Sequence, residues 1–235
     1  MVEAGPDRTC QKRLSGPQRA PGVPSVVTMT VAKRERAALV ESLRAAGPDA
    51  PTLCEGWTAR DLAAHLVLRE RRLDATPGIA FPPLSGYTAK VQDKIADSTP
   101  WEALVDKIAA GPPFYSPFKL LDPLVNVAEM FIHNEDVRRA QPGWEPRQLD
   151  SATIAALLRP FPVLSKVTLS KVPARLTLRT PDGRTLAVVG NGPEVVLTGE
   201  PEELLLYAFG RDAIRVEFTG DEAAVAQVKT AKRGL

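Results

Sequence analysis

Glu129-Met130-Phe131-Ile132-His133-Asn134-Glu135-Asp136-Val137-Arg138-Arg139-Ala140 reads as the later part of a long helix that starts near Asp122-Pro123. In such a helix Glu129 and His133 stand one turn apart and project from the same side. A carboxylate oxygen and an imidazole nitrogen so placed reach a single ion. The same angular sector carries Val125, Met130, Ile132, Val137 and Ala140. The N-terminal half of the helix is apolar nearly all round, the pattern of a helix buried inside a bundle.

The chain has only two histidines, and the second lies in an equally explicit setting. In Trp57-Thr58-Ala59-Arg60-Asp61-Leu62-Ala63-Ala64-His65-Leu66, Thr58 is placed to cap a helix and Asp61 to return the bond as a short-armed capping box. Trp57 before the cap and Leu62 after it make a hydrophobic staple. The stripe Leu62, His65, Leu66 and Arg69 then turns His65 inward. His65, Glu129 and His133 together make a donor set suited to zinc or a similar divalent metal, with one coordination position left for water or substrate. A buried carboxylate on an apolar face is costly unless neutralised. The plainer alternative is that Glu129 pairs with a basic residue and the histidines are ordinary core residues.

The composition sets limits on everything else. Apolar residues make up 44% of the chain and charged residues 25%, enough for a sizeable core. The net charge of +2 resides wholly in the first 28 residues (Arg8, Lys12, Arg13 and Arg19 against Glu3 and Asp7), so the body is neutral. A neutral body argues against a nucleic-acid groove. No apolar run approaches membrane-spanning length. Two cysteines, Cys10 and Cys54, do not make a disulfide framework, and a reducing cytoplasm is the expected location. Residues 1–28 are rich in Pro, Gly and Arg and lack periodicity, so they read as a disordered extension ahead of Met29.

Residues 31–46 predict a first helix with the stripe Leu39, Val40 and Leu43. A shorter one spans Tyr87 to Ala96, and another begins at Thr99-Pro100-Trp101-Glu102 with a capping box and Pro at its first position. These elements predict an antiparallel four-helix bundle over 29–142 with polar ligands turned into its core. After the linker Gln141 to Pro146 the period changes. A helix from Ser151 to Leu158 precedes alternating Arg175 to Arg179. The turn Pro181-Asp182-Gly183 leads into Thr185 to Val188, a hairpin signal. Val195-Val196-Leu197 and Ile214 to Phe218 read as strands, and Glu202 to Phe209 and Asp221 to Lys229 as helices. The class is α+β, with a small α+β domain over 150–235.

The Gly56-Trp57-Thr58 to Leu66 motif, Glu129 to His133, and Glu135 to Ala140 together resemble the mycothiol-dependent maleylpyruvate isomerase family, within the DinB-like metal-binding helical bundles. Thr198-Gly199-Glu200-Pro201-Glu202 to Leu205, Phe209-Gly210-Arg211 and Glu217 to Asp221 look like that family's C-terminal sterol-carrier-like domain. The resemblance implies that His65, Glu129 and His133 hold a divalent metal, with zinc the usual expectation. It implies a zinc-dependent transferase or isomerase that uses mycothiol or another small thiol on a small-molecule electrophile. A thiol activated there would add to an unsaturated acid or displace a leaving group. A non-catalytic metal-binding or regulatory protein is the alternative, and a third reading makes the C-terminal part a small apolar carrier. Arg211, at the family-like Gly-Arg position, is the candidate catalytic residue, placed to hold an anionic substrate, against an ordinary ion pair with a surface acid. Asp61 is read as a cap, though it could orient His65. Asp136 is read as a partner of Arg138 or Arg139, though it could orient His133. Cys54 is read as structural or incidental, though it could be a thiol near the metal.

Overall fold

The computed structural model describes residues 1–2, 29–121 and 126–234. The expected disorder of the N-terminal extension, Cys10, and the proposed helix start at Asp122-Pro123 with Val125 lie outside them.

Helix α1 (Val31–Ala46) opens on Thr30, whose hydroxyl accepts from the Lys33 amide at 3.3 Å, and it stops at Gly47, where φ is +82°. That left-handed turn is open to glycine without strain. α2 (Ala59–Arg71) carries the expected capping box. Asp61 Oδ2 accepts from the Thr58 amide at 2.9 Å, while the Thr58 hydroxyl accepts from the Asp61 amide at 3.4 Å. Two 3-10 turns (Thr76–Ile79 and Pro82–Leu84) lead into α3 (Ser85–Ser98), longer at both ends than the sequence suggested. α4 (Trp101–Ala110) corrects one expectation. Its N-cap is Pro100 and has no side-chain cap bond, so the capping box read at Thr99 does not form. The helix starts one residue too late for Thr99 to serve, and the Thr99 carbonyl instead accepts from Arg60. A short α5 (Phe118–Leu121) precedes α6 (Asn126–Arg139).

Leu39 and Leu43 from α1, Leu62 and Leu66 from α2, Leu104 and Ile108 from α4, and Met130 and Val137 from α6 pack into one core, with Trp57 against its edge. Each is almost fully buried, and removing such a leucine costs about 2–5 kcal/mol.

Beyond α6 come α7 (Ser151–Leu158) and α8 (Phe161–Thr168). The second of these was not read from sequence. Pro162 sits in its first turn, where its missing N–H costs nothing. The strands are β1 (Arg175–Arg179), β2 (Thr185–Val189), β3 (Glu194–Gly199) and β4 (Val216–Gly220), in the sheet order β2-β1-β3-β4. β1 and β2 form the expected hairpin, β3 lies parallel to β1, and β4 is antiparallel to β3. The chain passes from β2 to β3 over the start of β1. At Gly190, with φ at +70°, a Cβ would come within 2.2 Å of the Ala174 carbonyl oxygen, so only glycine permits that crossing. α9 (Pro201–Ala208) and α10 (Glu222–Thr230) pack on the sheet.

The core of the sheet half does not end at its own helices. Val127, Ala128, Phe131 and Ile132 of α6 and Ala32 of α1 join Leu176, Leu197 and Leu204 to Tyr207 in one continuous apolar cluster. α6 therefore faces both cores. No helix among the described residues is long and apolar enough to cross a membrane.

Candidate metal centre

α2 and α6 present their polar residues to each other where the two cores meet. His65 is buried, as the stripe on α2 required, and its ring centroid lies 5.1 Å from that of Trp57 and 5.6 Å from that of His133. Glu129 Oε1 is 3.2 Å from His133 Nε2 and 3.7 Å from His65 Nε2. One donor atom from each of the three residues lies within 4.8 Å of the others. Tetrahedral ligands about 2.0–2.1 Å from a zinc ion stand about 3.3–3.4 Å from one another. The carboxylate-to-imidazole spacings bracket that value, so the donor set fits a divalent ion.

The plainer alternative is also visible. Arg69, one turn beyond His65, places Nε 3.3 Å from the same Glu129 oxygen. Its guanidinium also donates to Asn126 Oδ1 at 2.7 Å and lies 4.2 Å from the centroid of the Phe118 ring. Glu129 thus has a basic partner held in place from behind, and still presents its oxygen to both imidazoles.

Asp136 decides how His133 is oriented. Its Oδ2 lies 2.9 Å from His133 Nδ1, which fixes that nitrogen as the donor and turns Nε2 toward Glu129. The expected pairing of Asp136 with Arg138 or Arg139 does not occur, because both arginines bind Glu135 instead. Asp136 is gripped by Arg211, whose Nε donates to Oδ1 at 2.7 Å and Nη2 to Oδ2 at 2.5 Å. Arg211 Nη1 donates to the Phe209 carbonyl at 2.6 Å. Arg211 faces the helical half as anticipated, and its partner is a buried acid. Cys54 donates its thiol to Asp136 Oδ2 at 3.2 Å and lies 3.6 Å from Arg211. Cys54, His133 and Asp136 form a second set of potential ligands that shares His133 with the first. Asp61 is occupied in the capping box and does not serve His65.

Charge follows this geometry. Burial pushes the Glu129 carboxyl up, but hydrogen bonds from His133 and His65, with the charges of His133 and Arg69, hold it well below the usual carboxylate range. Burial pulls His133 down, and its bonds to Asp136, Cys54 and Glu129 outweigh that and raise it well above an ordinary histidine. Burial likewise opposes ionisation of Asp136, yet Arg211 and His133 keep it ionised far below its usual range. Both directions favour a protonated His133 facing an ionised Glu129 in the metal-free protein.

The three ligand candidates open onto a cavity of about 730 Å³, lined also by Cys54, Trp57, Ile79, Phe209, Arg211 and Arg233. Sequence reading named the three candidates and Arg211. It missed Arg69 as a partner of Glu129 and Arg233 in the cavity lining. The position of Arg69 one turn after His65 was a usable signal for the first, whereas nothing local marks the second.

A helical core with an inward His–Glu–His donor set, fused through one helix to a mixed α+β sheet, is the class this architecture defines. Residues 29–113, the segment of α1 to α4 with His65, match the family model of the mycothiol maleylpyruvate isomerase N-terminal domain. Glu129 and His133 lie beyond the matched segment. Crystal structures of the mycothiol-dependent maleylpyruvate isomerase and of a histidine-to-alanine mutant of it are similar to this chain. Each has 16% sequence identity and a TM-score of 0.52, covering 80% of this chain and 90% of theirs. At that identity the likeness establishes a common fold. A search among curated proteins finds no match.

Proposed function

We propose that this chain is a zinc-dependent enzyme that uses a small thiol, mycothiol in the first instance, to isomerise or transfer onto a small electrophile. The observation that carries the reading is the convergence of His65, Glu129 and His133 at tetrahedral spacing beside a cavity. The family match over residues 29–113 and the shared fold support the thiol chemistry. On this reading the helical part is a DinB-like four-helix bundle over 29–142, residues 150–235 form a sterol-carrier-like domain, and the protein acts in the cytoplasm.

A divalent ion held by the three residues would supply Lewis acidity, which lowers the pKa of a small thiol near it. The chain's own groups do the rest. Asp136 fixes the tautomer of His133, and Arg211 holds Asp136 in position through its two-pronged grip. Arg211 and Arg233 also line the cavity, each paired with an acid, Asp136 and Asp212 respectively, and an electrophile bearing a carboxylate would meet Arg211 there. Trp57, Ile79 and Phe209 give the wall its apolar surface and limit water near the thiol.

The test is elemental analysis of the wild type beside His65→Ala, Glu129→Ala and His133→Ala, with thiol-dependent consumption of maleylpyruvate followed in the same samples. The expected result is about one zinc per wild-type chain, its loss in each variant, and turnover that needs both zinc and thiol. Equal metal in all four proteins would refute the ligand assignment. Stoichiometric zinc without thiol-dependent turnover would favour the non-catalytic metal-binding alternative.

A further inference from the structure

The turn that delivers Arg211 is short, and a distant part of the chain braces it. α9 ends in a Schellman turn. The Gly210 amide donates to the Tyr207 carbonyl at 2.9 Å and the Arg211 amide to the Leu206 carbonyl at 3.0 Å, with Gly210 at φ +86°. The Phe209 carbonyl at this helix end accepts from Arg211 Nη1 at 2.6 Å. That bond ties the guanidinium to its own turn, while Nε and Nη2 hold Asp136.

Residues 231–234 follow α10 and lie against this turn, where Gly234 and Gly210 meet backbone to backbone. A Cβ on Gly234 would stand 3.0 Å from the Phe209 carbonyl oxygen, and one on Gly210 would stand 3.0 Å from the Arg233 carbonyl oxygen. Gly234 has φ at +88°, so a side chain there strains the backbone as well. Two more contacts locate the segment. The Gly234 amide donates to the Thr168 carbonyl of α8 at 3.1 Å, and the Arg233 guanidinium lies 4.3 Å from the centroid of buried Tyr207. Arg233 also pairs with Asp212, but that acid is 83% exposed and the pair adds little by itself. The oxygen that Gly234 packs against is thus the one that Arg211 uses.

We propose that Gly234 is a positioning residue for the metal centre: packed on the Phe209 carbonyl, it keeps Arg211 on Asp136 and so keeps His133 aimed. The last link rests on the metal reading given above, whereas the hold on Arg211 stands on the packing alone. A side chain at position 234 has two ways to fit. It pushes the Phe209 carbonyl aside, or it drives residues 231–234 off the turn, and either outcome loosens Arg211. Gly234 acts through Arg211 and takes no part in holding the ion.

The experiment compares the full wild-type chain with Gly234→Ala. Solvent exchange of the Arg211 Nε–H is followed by NMR in the metal-free protein, the signal being assigned by its loss in Arg211→Gln. The Nε–H of Arg139, which donates to Glu135 at 2.6 Å, is the control. Zinc affinity is measured by chelator competition in wild type, both single variants and the double variant. The expected result is roughly tenfold faster exchange at Arg211 with Arg139 unchanged, the mark of a local opening. Zinc affinity falls about three- to tenfold, less than the loss of an orienting partner outright, and falls no further when Gly234→Ala is added to Arg211→Gln. Gly234→Asn sets the same Cβ on a residue that tolerates positive φ, and it gives the same pattern should alanine disturb α10. Unchanged exchange at Arg211, equal acceleration at Arg139, unchanged zinc affinity, or a zinc loss undiminished in the Arg211→Gln background overturns the positioning role. A wild type that binds no zinc refutes the metal reading and the last link with it, and the exchange contrast then decides the hold on Arg211.

Discussion

Two glutamates of helix α6, Glu135 buried and Glu129 half-buried, meet opposite solutions to the same electrostatic problem. Glu135, with 1% of its side chain exposed, is matched by Arg138 at 2.9 Å, Arg139 at 2.6 Å and Arg147 at 2.7 Å. Arg139 continues to Glu203 of α9 at 2.5 Å and 2.9 Å, and its guanidinium lies 4.6 Å from the centroid of Trp144. Arg147 continues to Glu35 of α1 at 2.7 Å. That network is closed, with each charge answered by the protein. Glu129, one and a half turns earlier, keeps 23% of its side chain open to the cavity and has one arginine and two histidines beside a single oxygen. Arg69 answers part of its charge, and the rest depends on a proton or an ion that can come and go. A carboxylate whose countercharges are all permanent serves architecture, whereas one whose countercharge is exchangeable can serve chemistry.

Four outcomes would break or sharpen that contrast. Arg139→Ala should have the largest effect, because it removes the charged partner of buried Glu203 and one of the three that hold Glu135. Denaturant titration should show a loss of about 3–5 kcal/mol, with zinc content of the folded protein unchanged. Zinc at a hundredfold its dissociation constant should stabilise the wild type by about 2.7 kcal/mol and Glu129→Gln far less, read as a shift in thermal unfolding. An equal shift in both would mean that Glu129 is as closed a group as Glu135. Asp136→Asn should weaken zinc binding about 10–100-fold in a chelator competition, since one neutral oxygen cannot serve both His133 and Arg211 as the carboxylate does.

The smallest effect is on pH dependence. Because His133 is raised above an ordinary histidine in the metal-free protein, its contribution to stability is complete below about pH 6.5 and is lost as pH rises through the raised value. Zinc needs the same nitrogen unprotonated, so its stabilising effect should run the other way and grow with pH by at most about 1.4 kcal/mol per unit. Unfolding curves at several pH values, with and without zinc, check the opposed slopes.

Local signals were legible in the sequence, and long-range partnerships were not. The capping box at Thr58 and Asp61 lies within a single turn and formed as read. The inward aim of His65, Glu129 and His133 followed from helical spacing alone, and the structure brings the three together. The grip of Arg211 on Asp136 joins residues 75 apart, and the nearer arginines on α6 were the natural but mistaken choice. Thr99 failed as a cap because a shift of one residue in the helix start removes the role altogether. α8 went unread because Pro162 resembles a break when seen without its position in the first turn. The merging of the sheet core with α6 left no trace, since Phe131 and Ile132 look the same in sequence whichever core they enter.

The double allegiance of α6 has a consequence for anyone seeking to transplant this site. Its one flank bears His133 and Glu129 while the other joins the apolar core of the sheet half, and the clasp on Asp136 arrives from beyond α9. A graft limited to the helices would carry the ligands but lose the ballast that keeps them aimed, so a portable version must include the sheet as well.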